Sequence, residues 1–532
     1  MKLNAQPLTD ALVLWWDQWD PLPADAEYEL HCEDQKPEQG GKRRAGQENA
    51  ADQSAERRVY AGRRTHFTLE NLAPASAYRL CLYARGTLLA EGCFETRKKT
   101  RVHDVRDYGA VGDGKTLNTS ALQSAMDACG KDEEVLIPAG VFLTGGLRLH
   151  SDMRLRIAPG AELRGTDRPE DYLPKIRSRF EGTEMECYQS LLNLGELDHA
   201  AGPNCRNVLI YGGGKICGGG QPLARNTIEA EKLRLREMLA SLGEKIREYE
   251  NEETIPGRAR GRLINLSNCE NVHITGLDLE NGPSWNVHMI YSRNIVTDHC
   301  FFRSEGVWNG DGWDPDSSEG CTLFACHFHT GDDSVAIKSG KNPEGNRIAR
   351  PTRNIRVFDC RSDFGLGVAI GSEMSGGVEK VAVWDCDFSK SLYGVQVKAT
   401  RKRGGYVRGL TVRDSLLSRF RCCAVGYNDD GEGSPVPPVF EGFTLERVRL
   451  TGWAMEYWER ENHQNPAIDL TGFDVPGYEA RDMVFRDCDI GEQGSIAMSR
   501  CRNITLEGIT AQGVYDHPEN FWIGNENQIT QK

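Results

Sequence analysis

A short unit, one polar or small residue followed by apolar-x-apolar, recurs through most of this 532-residue chain. It reads Asn207-Val208-Leu209-Ile210, Asn271-Val272-His273-Ile274, Asn294-Ile295-Val296-Thr297 and Gly320-Cys321-Thr322-Leu323. It continues as Asn354-Ile355-Arg356-Val357 and Lys380-Val381-Ala382-Val383, then again from Gly409, Gly442, Asp482 and Asn503. After the first pair, the copies lie 21 to 40 residues apart. Strand-like units at such a period, with almost no helical pattern, predict a solenoid of parallel strands. Each coil then supplies one short strand to each long sheet, and equivalent side chains stack along the axis. The expected fold class is all-β, a right-handed parallel β-helix over residues 101–532, preceded by a small β-sandwich.

Two ladders follow from the repeat. Six residues after the start of a unit stand Cys300, Cys326, Cys360, Cys386 and Cys488. Five cysteines in register read as an interior stack of small apolar side chains. The chain has 17 cysteines, an odd number, scattered and without paired CxxC motifs at zinc spacing, so neither a disulfide framework nor a metal site is expected. Asparagine opens the unit at Asn207, Asn271, Asn294, Asn354 and Asn503, which predicts an amide ladder at a turn.

The first 98 residues read differently. Leu12–Trp16 and Tyr28–Cys32 look like strands. Residues 33–58 are polar and charged and predict a loop. Leu72-Ala73-Pro74, then Tyr78-Arg79-Leu80-Cys81-Leu82, suits a sandwich corner where a tyrosine hydroxyl bonds back to the backbone. This pattern resembles a fibronectin type III module. Within the helical domain, Leu235, Met238, Leu239, Leu242, Ile246 and Tyr249 fall at helical spacing, so residues 221–250 predict an inserted surface helix. It is a candidate wall for a cleft, a candidate subunit contact, or a solvated decoration.

Hydrophobic residues make up 39% and charged residues 27%, as in soluble globular proteins. The longest apolar runs are short of a membrane span, and the first seven residues lack the apolar core of a secretory signal. A cytoplasmic location is therefore expected. The net charge of −14 argues against nucleic acid and acidic membranes as partners. A local cluster, Lys398, Arg401, Lys402 and Arg403, still leaves room for an anionic small substrate.

Three acidic segments then stand out. They are Asn309-Gly310-Asp311-Gly312-Trp313-Asp314-Pro315-Asp316, Gly331-Asp332-Asp333, and Gly371-Ser372-Glu373-Met374-Ser375-Gly376-Gly377. Aspartate and glycine can simply mark turns. On successive coils, however, they bring carboxylates to one gap, the arrangement that glycosidic bond hydrolysis uses. Asp107–Thr116, the short helical pattern Ala121–Cys129, and Asn281-Gly282-Pro283-Ser284-Trp285-Asn286-Val287-His288 complete a set of motifs. Together they resemble the family 28 glycoside hydrolases, the polygalacturonase family, over residues 101–515. A fibronectin-like module ahead of the helix resembles the bacterial exo-acting members in particular.

The resemblance implies an inverting hydrolase of α-linked galacturonate in pectin-derived oligosaccharides, with no cofactor. It implies that Asp332 protonates the leaving oxygen while Asp311 and Asp333 hold and deprotonate the attacking water. Lys338 and Lys398 match lysines of family motifs, the latter placed to bind a uronate carboxylate. Trp313, His288, Glu373 and Arg403 are further candidate substrate contacts, and His329 is a weaker one. The pattern is broken where many members carry Gly-His-Gly, here Gly365-Leu366-Gly367, and Arg-Ile-Lys, here Gln396-Val397-Lys398. Glutamine cannot reproduce the bidentate grip of arginine on a carboxylate. Either the leaving-side sugar is neutral, as in rhamnogalacturonan, or Arg401 or Arg403 takes over. A pectin lyase and a non-catalytic carbohydrate-binding β-helix are the competing classes.

Overall fold

The computed structural model describes residues 1–18, 22, 26–35, 57–248, 254–456, 461–490, 495–509, 521–523 and 529–531. The chain divides into two compact units, Met1–Arg101 and Val102–Lys532.

The first unit holds two antiparallel sheets. One joins Leu3–Pro7, Leu12–Trp16 and His66–Leu69; the other orders Arg57–Gly62, Tyr28–Gln35, Ala77–Ala84 and Thr87–Glu95. Leu12, Leu14, Trp16, Leu30, Leu80 and Leu82 alternate into a shared core. The Tyr78 hydroxyl accepts from the backbone N–H of Ala73 at 2.9 Å, the corner bond that the sequence predicts. The loop expected over 33–58 is shorter at both ends. Glu33 continues the strand opposite Arg79 and pairs with it at 3.3 Å, and Arg57 begins the next strand opposite Cys32. These polar residues form the outer face of a strand, which composition alone reads as loop. Residues 36–56 lie outside the described residues.

The second unit is a parallel β-helix. Among the described residues, three long parallel sheets contain 14, 11 and 12 strands. Val272 pairs with Ile295, and Ile355 with Val381, so like residues stack inside. The cysteines form an interior column next to Phe301, His327, Arg361 and Asp387, which are themselves in register. Cys300, Cys326, Cys360 and Cys386 occupy consecutive coils; Ser415 and Val448 then intervene before Cys488. None of the 17 cysteines is in a disulfide. At the turns, Asn294 donates to Asn271, and Asn271 to Asn207, at 3.3 and 3.2 Å. Each of these asparagines has a positive φ, a conformation that asparagine tolerates better than most residues.

The helix Thr119–Ala128 buries Leu122, Ala125 and Met126 in the core. The insertion forms two α-helices, Gly220–Arg234 and Arg236–Leu242, and a 3₁₀ turn, Gly243–Glu248. Its buried face differs from the expected one. Leu223, Ala224, Thr227 and Ile228 are buried, whereas Met238 is exposed and Leu235, Leu239 and Leu242 only half-buried. Tyr249 lies outside the described residues. Glu231 ties this helix down through Lys175 at 2.7 Å, and Gln221 accepts from the Trp308 N–H at 2.8 Å.

An antiparallel hairpin, Ile176–Phe180 and Thr183–Cys187, interrupts the coils without any periodic signal in the sequence. It lies against the outward face of the twelve-stranded sheet. Arg179 is fully buried there and pairs with the equally buried Asp316 at 2.9 Å. The Phe180 ring stacks on Trp285 at 4.8 Å. At its tip, Gly182 accepts from the Lys341 N–H, and any side chain on Gly182 would collide with the Lys341 backbone. Breaking a buried pair strands the remaining charge. Arg179→Ala is therefore expected to destabilise the second unit by about 3 to 5 kcal/mol, read as a lowered urea midpoint; an unchanged midpoint would refute this anchoring role.

Candidate active site

Four consecutive strands of the twelve-stranded sheet build the site: Trp313–Asp316, Val335–Ile337, Val368–Ile370 and Val395–Ala399. Trp313, Val335, Val368 and Val395 are in register and point inward. Alternation therefore turns their neighbours outward. The chain enters these strands through Asp311 and Asp332-Asp333 and leaves them through Lys338, Glu373 and Lys398. Gly371 is required at its position. Its φ is +93°, and a Cβ would meet the Lys398 carbonyl oxygen.

Two ammonium groups organise the carboxylates. Lys338 Nζ lies 3.3 Å from Asp311 and 3.6 Å from Glu373. It also sits over the Trp285 ring at 4.6 Å. Lys398 Nζ lies 3.4 Å from Asp333. Asp314, fully buried behind Asp311, has no hydrogen-bond partner for either oxygen among the described residues. Burial pushes its carboxyl well up, and the Asp311 charge pushes the same way. Burial also raises Asp311, against the pull of Lys338. Asp332 is less enclosed, and burial with the charge of Asp333 brings its carboxyl up to about 6. Asp311, Asp314, Asp332 and Asp333 crowd one enclosed site, where mutual repulsion favours protonation of the carboxyls that lack a cation beside them. Asp314 and Asp332 make no ion pair among the described residues, and both carboxyls are raised. Asp311 and Asp333 are the two that lie beside a lysine. One proton donor beside two carboxylates can carry out general acid–base chemistry.

The pocket also takes in Glu181, Arg258, Asn309, Lys341, Asn428 and Asp430. Glu181 is the hairpin tip. Arg258 follows the insertion and bridges Glu181 at 2.7 Å and Asp430 at 2.9 Å. Lys341 and Arg403 approach the same Asp430 at 2.5 and 3.7 Å. Three cations therefore crowd one carboxylate. Burial and repulsion by Arg258 hold the Lys341 ammonium below its usual value. Sequence reasoning missed Glu181, Arg258, Lys341, Asn428 and Asp430. They come from the hairpin, the end of the insertion and long inter-coil loops, where no repeat sets their position.

The predicted residues divide accordingly. Asp311, Asp332, Asp333, Lys338, Lys398, Glu373 and Arg403 meet in the pocket. Trp313 does not reach it. It is the inward residue of its strand, and its ring N–H donates to Thr297 in the core. Trp285 lines the pocket instead. His288 is fully buried against Asp316 at 3.3 Å, and burial pushes its pKa down to about 3, so it is a neutral supporting side chain. His329 bonds to Glu305 at 2.8 Å, on a strand of the eleven-stranded sheet. Arg401 stays outside the lining, while Arg403 enters it. Gln396 is buried, with no hydrogen-bond partner among the described residues, and is not at the pocket surface.

A protein-family model described as "Glycosyl hydrolases family 28" matches residues 176–424, which carry every one of these pocket residues except Asn428 and Asp430. An exo-poly-alpha-D-galacturonosidase of Dickeya chrysanthemi is 28% identical over 477 residues, 84% of this chain and 78% of that protein. The structure of the Yersinia enterocolitica family 28 exopolygalacturonase aligns with a TM-score of 0.79 at 20% identity, over 99% of this chain and 97% of that one. A hyperthermoactive exopolygalacturonase of Thermotoga maritima aligns with a TM-score of 0.61 at 26% identity, over 77% and 92% of the two chains.

The raised Asp332 carboxyl has a consequence for stability. Because its folded value exceeds the unfolded 3.8, the folded chain binds more protons between pH 4 and 6, and stability from this group falls as pH rises through that window. The full shift corresponds to about 3 kcal/mol. Asp332→Asn is expected to raise the melting temperature at pH 7 but not at pH 4. A variant less stable than wild type at pH 7 would contradict the assignment.

Proposed function

The chain belongs to glycoside hydrolase family 28, and on that premise we propose that it removes galacturonate units from the ends of pectin-derived oligosaccharides by acid–base hydrolysis. The observation that carries this reading is the pocket itself. Proton donor and paired carboxylates stand beside a crowd of cations, Arg258, Lys341 and Arg403, that an acidic sugar would relieve. The salt-bridged network of Glu181, Arg258 and Asp430 walls one side of the pocket. A cleft walled on one side admits a chain end and excludes a chain interior, which supports exo action.

Asp332 gives its proton to the glycosidic oxygen as the bond to the anomeric carbon breaks. Water attacks that carbon and yields a proton to the carboxylate of Asp311 or Asp333, each beside a lysine. Solvent returns a proton to Asp332. A water between acid and base attacks from the face opposite the leaving group and inverts the anomeric centre. His288 and Asp316 lie beneath the site and are tied to each other, and Asp316 to Arg179.

Two further proposals rest on other observations. The sheet orders of the leading unit and its tyrosine corner support a fibronectin type III-like module, and an experimental structure with another strand order would overturn that. The 17 cysteines, none of them in a disulfide, support a reducing, cytoplasmic compartment; recovery of the protein outside the cell membrane would refute it.

Incubation with trigalacturonate should release short products from one end, with the new anomeric signal inverted by NMR. Internal cuts, or an ultraviolet-absorbing product of elimination, would overturn the reading. Asp332→Asn should lower kcat about 10²- to 10⁴-fold. Because the acid must be protonated, kcat/KM should fall as pH rises past about 6. A flat profile from pH 5 to 8 would exclude Asp332 as the donor.

A further inference from the structure

A second cavity opens at the base of the hairpin whose tip, Glu181, lines the catalytic pocket. Its volume is about 620 Å³, against about 120 Å³ for the catalytic pocket, and it falls within the range of small-ligand sites. The two spaces share no lining residue. From Ile176 at the base to Glu181 at the tip is roughly 17 Å of extended chain. Strand Leu147–Leu149 pairs with Leu192–Leu194 and brings Arg148, in register with Asn193, to the outward face that lines this cavity. Lys175, Ile176 and Arg177 enter from the hairpin, and Glu196 and Leu197 from the segment after Leu192–Leu194.

In a chain of net charge −14, this lining carries Arg148, Lys175 and Arg177 against a single acid, Glu196. Lys175 is paired with Glu231 at 2.7 Å. Arg177, 52% exposed, lies 3.4 Å from Glu184, a carboxylate that it shares with His199 and the Tyr291 hydroxyl. Arg148 is exposed, and its guanidinium has no partner among the described residues. Its backbone is clamped on both sides by the Gln123 amide, at 2.9 and 3.0 Å, so the free cation is held in place. Ile176 and Leu197, both half-buried, add apolar surface. No Phe, Tyr or Trp lines the cavity to stack a base, and Glu196 would repel a dense cluster of phosphates. A sugar acid fits this lining better. Its carboxylate takes a planar pair of donors from a guanidinium, its hydroxyls can donate to Glu196, and its ring can lie on the aliphatic side chains. Resting on the function proposed above, we propose that this cavity is a second binding site for an acidic oligosaccharide of the galacturonate class, in which Arg148 and Arg177 hold carboxylates and no bond is broken.

Calorimetric titration of the Asp332→Asn protein with trigalacturonate tests this in the absence of turnover. Two equivalents should bind. Arg148→Glu, added to that protein, should weaken one of them about tenfold or more and leave the other unchanged. Arg177→Gln should weaken the same equivalent, so the test survives if one of the two variants fails to fold. Binding that neither arginine variant weakens would overturn the inference with the catalytic reading intact, and a complete absence of binding would overturn it too. Full displacement of the second equivalent by sulfate at equal concentration would mean a site for any anion, and also overturns it. A wild-type protein that binds trigalacturonate at Arg148 but leaves it uncleaved would refute the proposed function and leave this site standing.

Discussion

Register between neighbouring coils is the constraint on which the rest of this molecule depends. Strands stack about 4.8 Å apart, and their side chains alternate in and out. One residue of slip would drive Asp314, Asp316 and Lys398 into the core and expose Val335 and Val397. Interior columns oppose such a slip. The cysteine stack, the Phe302–Phe328 pair at 4.7 Å and the buried valines fit only one alignment. The asparagine ladder does the same on the outside from Asn207 to Asn294, while Asn354 and Asn503 bond to Glu319 and Asp482 of the coil before.

Within that register the site is a problem in charge balance. Lys338 is only 4% exposed, and a buried ammonium without partners would lose its proton. Asp311 and Glu373 keep it charged, and Trp285 offers its π-face. In return the lysine pulls the Asp311 carboxyl down against the burial that raises it. The same logic repeats one layer down. Arg179 answers Asp316, and His288, neutral, bonds to that aspartate without adding a charge. Lys338, Arg179 and Asp316 are therefore each held by a neighbour that would itself be unstable alone.

The repeat made the β-helix, its interior cysteines and the three acidic segments legible in the sequence, because periodic units reveal which residues share a column. Alternation within a strand was the finer test, and Trp313 shows its force. Counting from Val335 in the register turns it inward, but the register is a property of the pairing and not of one segment. Gln396 misled for the same reason, since matching a motif position says nothing about how deeply that side chain lies. The hairpin at 176–187, Arg258 and Asp430 left no trace, because segments that interrupt a repeat have no period to read.

This division suggests why chemistry and pocket shape come from different parts of the chain. The coils hold carboxylates and lysines at fixed spacing and cannot move one without disturbing its neighbours. The hairpin, the insertion and the inter-coil loops carry no such burden, so they can lengthen or close at small cost to the core. Here they converge on a single network in which Arg258 joins Glu181 to Asp430, and Lys341 and Arg403 join from behind. The network turns an open groove into a pocket. An acidic chain end that enters it would meet its cations on one side and the proton donor on the other. The proposed end-on action would then be a property of these interruptions, laid over a scaffold whose own geometry is indifferent to where a chain is cut.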